Sequence, residues 1–158
     1  MLIIGCGNRE RGDDGAGILV AERLRKFGIE AETCIGNALD LIEAWKNADD
    51  VIVVDAVVTG APLGTVQAWD GRQPLAPLST NASTHGLGVA EAIKLAHVLN
   101  RLPRRLWVYG IEGERFDLGS EISPEVRRGV EEAVRRIISD LSMPLNNRPA
   151  IPRNSASY

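Results

Sequence analysis

A chain of 158 residues, 44% hydrophobic and 25% charged, with a formal net charge of −3, has the size and make-up of one globular domain around one core. The balanced charge argues against the clustered Lys and Arg of a nucleic-acid surface. The arginine-rich stretch from Val126 to Leu141 also carries Glu131, Glu132 and Asp140, and mixed signs suit a solvated helix face. No apolar run reaches membrane-spanning length, two cysteines make no disulfide framework, and the short run before Gly5-Cys6-Gly7-Asn8 is no secretory leader, so the expected setting is cytoplasmic.

Met1 to Cys6 is a short continuous apolar run ended by glycine, which predicts a buried strand. Gly7 to Gly12 reads as a loop, and Asp13 or Asp14 is placed to cap the helix that follows. Ala16, Val20, Leu24 and Phe27 form that helix's apolar stripe, Glu22, Arg25 and Lys26 its wet side, and Gly28 its end. Glu30 to Ile35 reads as a second strand and Leu39 to Trp45 as a short helix. In Asp50-Val51-Ile52-Val53-Val54-Asp55, four β-branched residues bounded by acids suit a central strand covered on both faces. Thr65 to Trp69 alternates weakly, as an edge strand does. Ser79 to Thr84 is a polar loop before a helix from Leu87 to Leu99, and Leu106 to Tyr109 is a strand closed by Gly110. Ser123-Pro124 opens the last helix, whose stripe is Val126, Val130, Val134, Ile137 and Leu141. This alternation predicts a three-layer α/β/α sandwich with a mostly parallel central sheet over residues 1–142, with right-handed crossovers. From Met143 onward, Pro144, Pro149 and Pro152 and the absence of acids read as a flexible tail over 143–158.

In open α/β sheets, ligands bind beyond the carboxyl ends of the strands, near a reversal of strand order. Three polar groups fall at such places: Asp14 after the first strand, Asp55 at the end of the valine-rich strand, and His85 before the long helix. Two carboxylates and an imidazole make a divalent-metal site with open positions. Structural readings stand beside these. Asp14 can serve as a helix cap, Asp13 as a cap or a hydrogen-bonding group around the loop, and His85 as a cap or a surface residue. Asp55 directly continues a buried run and needs a partner or a ligand. His97 shares a helical stripe with Lys94 and Arg101 and is expected to face solvent. Cys6 reads as a small buried hydrophobe at a strand end, ahead of a nucleophile. The dinucleotide fingerprint is not met, because residue 10 is Glu, and there is no Walker A lysine motif, Gly-x-Ser-x-Gly elbow or HExxH.

As an ordered set these segments resemble the hydrogenase maturation endopeptidases. The matching pieces are Gly5-Cys6-Gly7-Asn8 with Asp13-Asp14-Gly15-Ala16-Gly17, the strand Val51 to Asp55 with Ala56-Val57, and Ala61-Pro62-Leu63-Gly64-Thr65. Further on they are Ser83-Thr84-His85-Gly86-Leu87-Gly88, Tyr109-Gly110-Ile111-Glu112 and Ile122-Ser123-Pro124-Glu125. The resemblance covers Met1 to Leu141. It implies that Asp14, Asp55 and His85 are both nickel ligands and catalytic residues, Asp14 standing where some members carry glutamate. It also implies that the nickel arrives with the substrate, the precursor of a hydrogenase large subunit, whose C-terminal extension is removed. A monomer is expected for the enzyme itself. Two other readings share parts of the pattern. A peptidyl-tRNA hydrolase-like enzyme also opens with a strand and Gly-x-Gly-Asn, but here Arg9-Glu10-Arg11 stands where that family has proline and a tyrosine-containing segment. The other is a non-catalytic nucleotide-binding α/β module.

Overall fold

The computed structural model describes residues 1–35, 37–75, 88–144 and 147. His85, the predicted polar loop at 79–84 and nearly all of the expected tail therefore lie outside the described residues. Five strands form one sheet: β1 (Leu2–Cys6), β2 (Glu32–Cys34), β3 (Asp50–Val57), β4 (Val66–Asp70) and β5 (Arg105–Glu112). Four helices flank it: α1 (Ala16–Lys26), α2 (Ala38–Trp45), α3 (Val89–Val98) and α4 (Pro124–Ser142). The spatial order is β2-β1-β3-β5-β4. Every neighbouring pair is parallel except β4 with β5, so the weakly alternating segment is an antiparallel edge strand, as its pattern predicts.

Side chains alternate across a strand, so each face of the central strands has its own core. Ile3, Ile52, Val54, Tyr109 and Ile111 pack with the buried stripes of α1 and α4. Ile4, Cys6, Val51, Val53, Leu106 and Val108 pack with Leu41, Ile42 and Trp45 of α2 and with Val89, Ala92, Ile93 and Ala96 of α3. This is the expected three-layer sandwich with a mostly parallel sheet. The valine-rich strand lies at its centre, buried on both faces from Val51 to Val54. Among the described residues, no helix is long and apolar enough to cross a membrane.

Four local expectations are corrected. Phe27 does not join the stripe of α1; it is 66% exposed, because α1 ends at Lys26 and Gly28 turns the chain with φ +76°. Neither Asp13 nor Asp14 caps α1: a 3₁₀ segment, Arg9–Gly15, intervenes, and Gly15 is the residue that precedes the helix. Ser123 does precede Pro124 at the start of α4, but its hydroxyl makes no cap bond to that helix. β5 also runs three residues past Tyr109, because β3 continues beside it to Val57, opposite Glu112.

Candidate active site at the carboxyl edge of the sheet

β1 connects through α1 to β2 on one side, while β3 lies on its other side, so strand order reverses between β1 and β3. The crevice beyond that reversal is where an open α/β sheet takes its ligand. Asp55 sits there near the end of β3. By the two-residue alternation it shares the face of Val51 and Val53, toward α2 and α3. Asp14 reaches the same crevice from the 3₁₀ segment after β1. Two glycines permit the approach. A Cβ at Gly17 would lie 2.3 Å from the backbone oxygens of both Cys6 and Val54, and one at Gly5 would lie 2.1 Å from Gly17 O. The first turn of α1 is thus pressed directly onto the ends of β1 and β3, which carries Asp14 over them.

The two acids of the pair serve opposite purposes. Asp13 is fully buried and accepts four hydrogen bonds. The backbone N–H groups of Glu114 and Arg115 donate at 2.9 Å each, that of Ser123 at 2.7 Å, and the Ser123 hydroxyl at 2.9 Å. Burial pushes its pKa up, but these donors outweigh burial and hold the carboxyl below the usual range. Asp13 therefore hydrogen-bonds around the loop, tying the 3₁₀ segment to the connection after β5. Glu112, also buried, does the same beside β3: it accepts from the Thr59 N–H (2.8 Å), the Thr59 hydroxyl (2.8 Å) and the Gly60 N–H (3.0 Å). Asp14 is only half-buried and turns to the crevice.

The crevice is a cleft of about 130 Å³. Asp14 and Asp55 line it together with Cys6, Cys34, Asn8 and Arg11, and the residues preceding α2 and α3, Asn37 and Gly88, lie on its wall. The pKa of Asp55 is pushed up to about 8, first by burial and next by the negative charge of Asp14; the N–H of Ala56, donating at 2.9 Å, lowers it only in part. Cys6 pairs in register with Cys34 of β2. Its thiol is held well above the ordinary range by the hydrogen bond with Cys34, by burial, and by the negative charges around it, Asp55 among them. A thiol so disfavoured from ionising is a poor nucleophile, which agrees with reading Cys6 as a small buried residue. His97 is exposed on α3 and lies outside this cleft, as expected.

Asp14 and Asp55 are thus brought together as anticipated, and the third member of the expected trio, His85, lies outside the described residues. Among those residues, no group of three His, Cys, Asp or Glu side chains is placed to hold a metal ion. Sequence reasoning missed Arg11, Asn37 and Cys34. Arg11 carried a usable signal, since it falls between Asn8 and the acidic pair, on the loop that lies over the crevice.

A doubly wound α/β domain with two carboxylates at its switch point defines a class of ligand-binding and hydrolytic folds. Comparison with known proteins narrows it. The family model for hydrogenase maturation protease matches residues 22–140, a span that contains Asp55 and begins after Asp14. The chain is 32% identical over 131 residues to Protein FrxA of Pyrococcus furiosus, covering 81% of this chain and 95% of that one. It is 25% identical over 162 residues to Hydrogenase 2 maturation protease of Escherichia coli, covering 98% and 97%. The solved structure of [NiFe] hydrogenase maturation protease HybD from Thermococcus kodakarensis superposes with a TM-score of 0.70 at 28% identity, over 90% of this chain and 98% of that one. The chain belongs to the hydrogenase maturation protease family.

Proposed function

We propose that this protein is an endopeptidase that removes the C-terminal extension of a [NiFe] hydrogenase large-subunit precursor already loaded with nickel. Family membership supports the hydrolase class. The observation that carries the finer reading is the pair Asp14 and Asp55 in one small cleft at the strand-order reversal. Burial and the charge of its neighbour raise the Asp55 pKa to about 8, so Asp55 gains from any positive charge brought against it. A dication brought by the substrate would supply that charge, and hard carboxylate oxygens with an imidazole suit nickel's mixed ligand preference. Gly88, three residues after His85 in sequence, lines the same cleft, which supports His85 as the third ligand.

In this reading the nickel is cargo of the substrate. Asp14, Asp55 and His85 complete its coordination and so place the extension against the cleft. Bound there, the ion supplies Lewis-acid polarisation of the scissile carbonyl or a more acidic water. The protein's own carboxylates take the proton of the attacking water, within hydrogen-bond reach of it. Ile35, which lines the cleft and is 70% exposed, offers the incoming peptide an apolar contact at the rim.

The test is incubation of the purified enzyme with nickel-loaded and nickel-free precursor. A short C-terminal peptide is expected to be released only from the loaded form, and Asp14→Asn, Asp55→Asn and His85→Ala should each suppress release. Equal cleavage of both precursors would remove nickel from the mechanism, and full activity of Asp55→Asn would remove the site.

A further inference from the structure

Arg11 lines the same cleft as Asp14 and Asp55, half-buried, and its guanidinium makes no hydrogen bond or ion pair among the described residues. Its neighbour in sequence behaves differently: Arg9 is paired with Glu22 at 2.6 Å. Five donors in a fixed fork, left without an acceptor beside two acids, call for an explanation.

The backbone that carries Arg11 is held on both sides. The Arg11 N–H donates to Asn8 O at 3.2 Å, and Asn8 accepts from the Glu10 N–H through its side chain at 2.9 Å. Gly12 follows with φ +55°, and a Cβ there would lie 2.4 Å from Ser120 Oγ and 2.6 Å from Arg115 O. Next comes Asp13 with its four hydrogen bonds. The loop is therefore fixed at its backbone, while the long side chain at its centre is left to a partner from outside.

The chemistry of the cleft says which partner it needs. Among the described residues lining it, Arg11 is the one cation. Asn8 and Asn37 accept backbone N–H groups through their side-chain oxygens, which leaves their NH₂ groups as neutral donors, so Arg11 alone among these residues can bring positive charge. An attacked peptide carbonyl becomes an oxyanion, and in a cleft contributing two carboxylates that charge would be opposed unless a donor met it.

On the peptidase reading above, we propose that Arg11 is the oxyanion partner of this site, its guanidinium donating to the scissile peptide oxygen as that oxygen takes up charge. A water oxygen forms a bond to the carbonyl carbon, the carbonyl electron pair moves to its oxygen against Arg11, and the water's proton passes to a cleft aspartate. When the intermediate collapses, the C–N bond breaks, its electron pair goes to the leaving nitrogen, and the aspartate returns the proton there. The oxyanion's electron pair re-forms the carbonyl, one water is consumed, and the new carboxylic acid gives its proton to the new amine, leaving a carboxylate and an ammonium. Arg11 then faces the new carboxylate.

Steady-state cleavage of nickel-loaded precursor by wild type, Arg11→Gln and Arg11→Lys tests this, with Asp55→Asn as the inactive benchmark. Arg11→Gln is expected to lower kcat by roughly 10²- to 10³-fold, the scale of losing one oxyanion donor. KM should stay within about threefold, since the interaction is made in the transition state. Arg11→Lys should recover part of the loss, because it returns the charge without the fork. With no side-chain partner to lose among the described residues, Arg11→Gln should melt within about 2 °C of wild type. Unchanged kcat, a defect confined to KM, or a melting temperature far below wild type would each overturn the assignment. Those outcomes leave the peptidase reading intact; a wild-type enzyme that does not cleave the loaded precursor overturns both.

Discussion

Replacing Asp13 with Asn removes one carboxylate oxygen and puts an amide NH₂ among groups that are themselves donors. In the wild-type enzyme the fully buried carboxylate receives three backbone N–H groups and one hydroxyl at 2.7–2.9 Å. Hydrogen bonds to a charged acceptor contribute about 1.5–3 kcal/mol each, and a buried donor left without a partner costs about 1–3 kcal/mol. Three donors meet one carboxylate oxygen and the Ser123 N–H alone meets the other, so Asn keeps three at best, as weaker bonds to a neutral acceptor, and sets its NH₂ against the Ser123 N–H; with non-additivity the sum is roughly 3–4 kcal/mol. At about 2–4 °C per kcal/mol for a domain of this size, the melting temperature at pH 7 should fall by roughly 6–16 °C. The pH dependence follows from the lowered pKa of Asp13. A carboxyl held below its unfolded value contributes fully above that unfolded value, and the contribution is lost as pH falls through the folded one. Circular-dichroism melts of both proteins should therefore show a wide gap at pH 7 that narrows as pH is lowered toward about 3. A gap under about 2 °C at pH 7, or one of constant width across the series, would refute the reasoning.

Asp55→Asn should abolish cleavage yet raise the melting temperature of the metal-free enzyme. The Asp55 pKa is raised to about 8, so its contribution is fullest below the unfolded carboxylate value and is lost as pH rises through about 8. Scanning fluorimetry should show the variant's advantage growing by at most about 1.4 kcal/mol per pH unit from about pH 4 to pH 8; a pH-independent difference contradicts the burial argument. Gly17→Ala drives a methyl to 2.3 Å from two backbone oxygens, which cannot swing aside as side chains can. It should lower stability by about 1–3 kcal/mol and disrupt cleavage by lifting Asp14 off the strand ends; an unchanged melt and rate would show that the approach is not tight. Cys6→Ala and His97→Ala should keep cleavage near wild type, and loss of activity in Cys6→Ala would point instead to a thiol mechanism.

The parts of this structure legible from sequence are those set by repeating patterns. Val51 to Val54 marked the central strand because four adjacent apolar residues fit only a strand covered on both faces. Val126, Val130, Val134 and Ile137 marked α4 by helical spacing, and all four are buried. What was not legible depended on contacts between distant segments. Asp13 and Asp14 looked interchangeable as caps, because nothing local says that the donors at 114, 115 and 123 converge on the first. Ser123 carried the pattern of a cap, yet its hydroxyl serves Asp13, 110 residues away in sequence. Cys34 looked incidental until β2 aligned it with Cys6. For the site, Asp55 was the readable member, since an acid ending a buried run must find a partner. Arg11 was readable only from its place between Asn8 and the acidic pair, because by composition an arginine in a polar loop is indistinguishable from a solvated one.

The contrast between Asp13 and Asp55 indicates how the fold divides its acids. Asp13 is fully buried and Asp55 half-buried, and burial raises the pKa of both. One is then supplied with four donors, which bring it below the usual range and make it a structural tie. The other, among the described residues, receives one N–H, from Ala56, and feels the charge of Asp14, so its pKa is pushed up to about 8. Among the described residues, the donors that satisfy Asp13 have no counterpart at Asp55. A backbone that fixed Asp55 with a full set of donors would leave its oxygens engaged and its charge already compensated, with little to gain from a cation or from an attacking water's proton. That raised pKa lowers the stability of the empty enzyme at neutral pH, and under the proposed function a substrate that presents positive charge to the cleft would recover the deficit. Asp13 and Glu112 support that arrangement, because they pin the loops on both sides of the crevice and keep Asp14 and Asp55 turned to the same cleft.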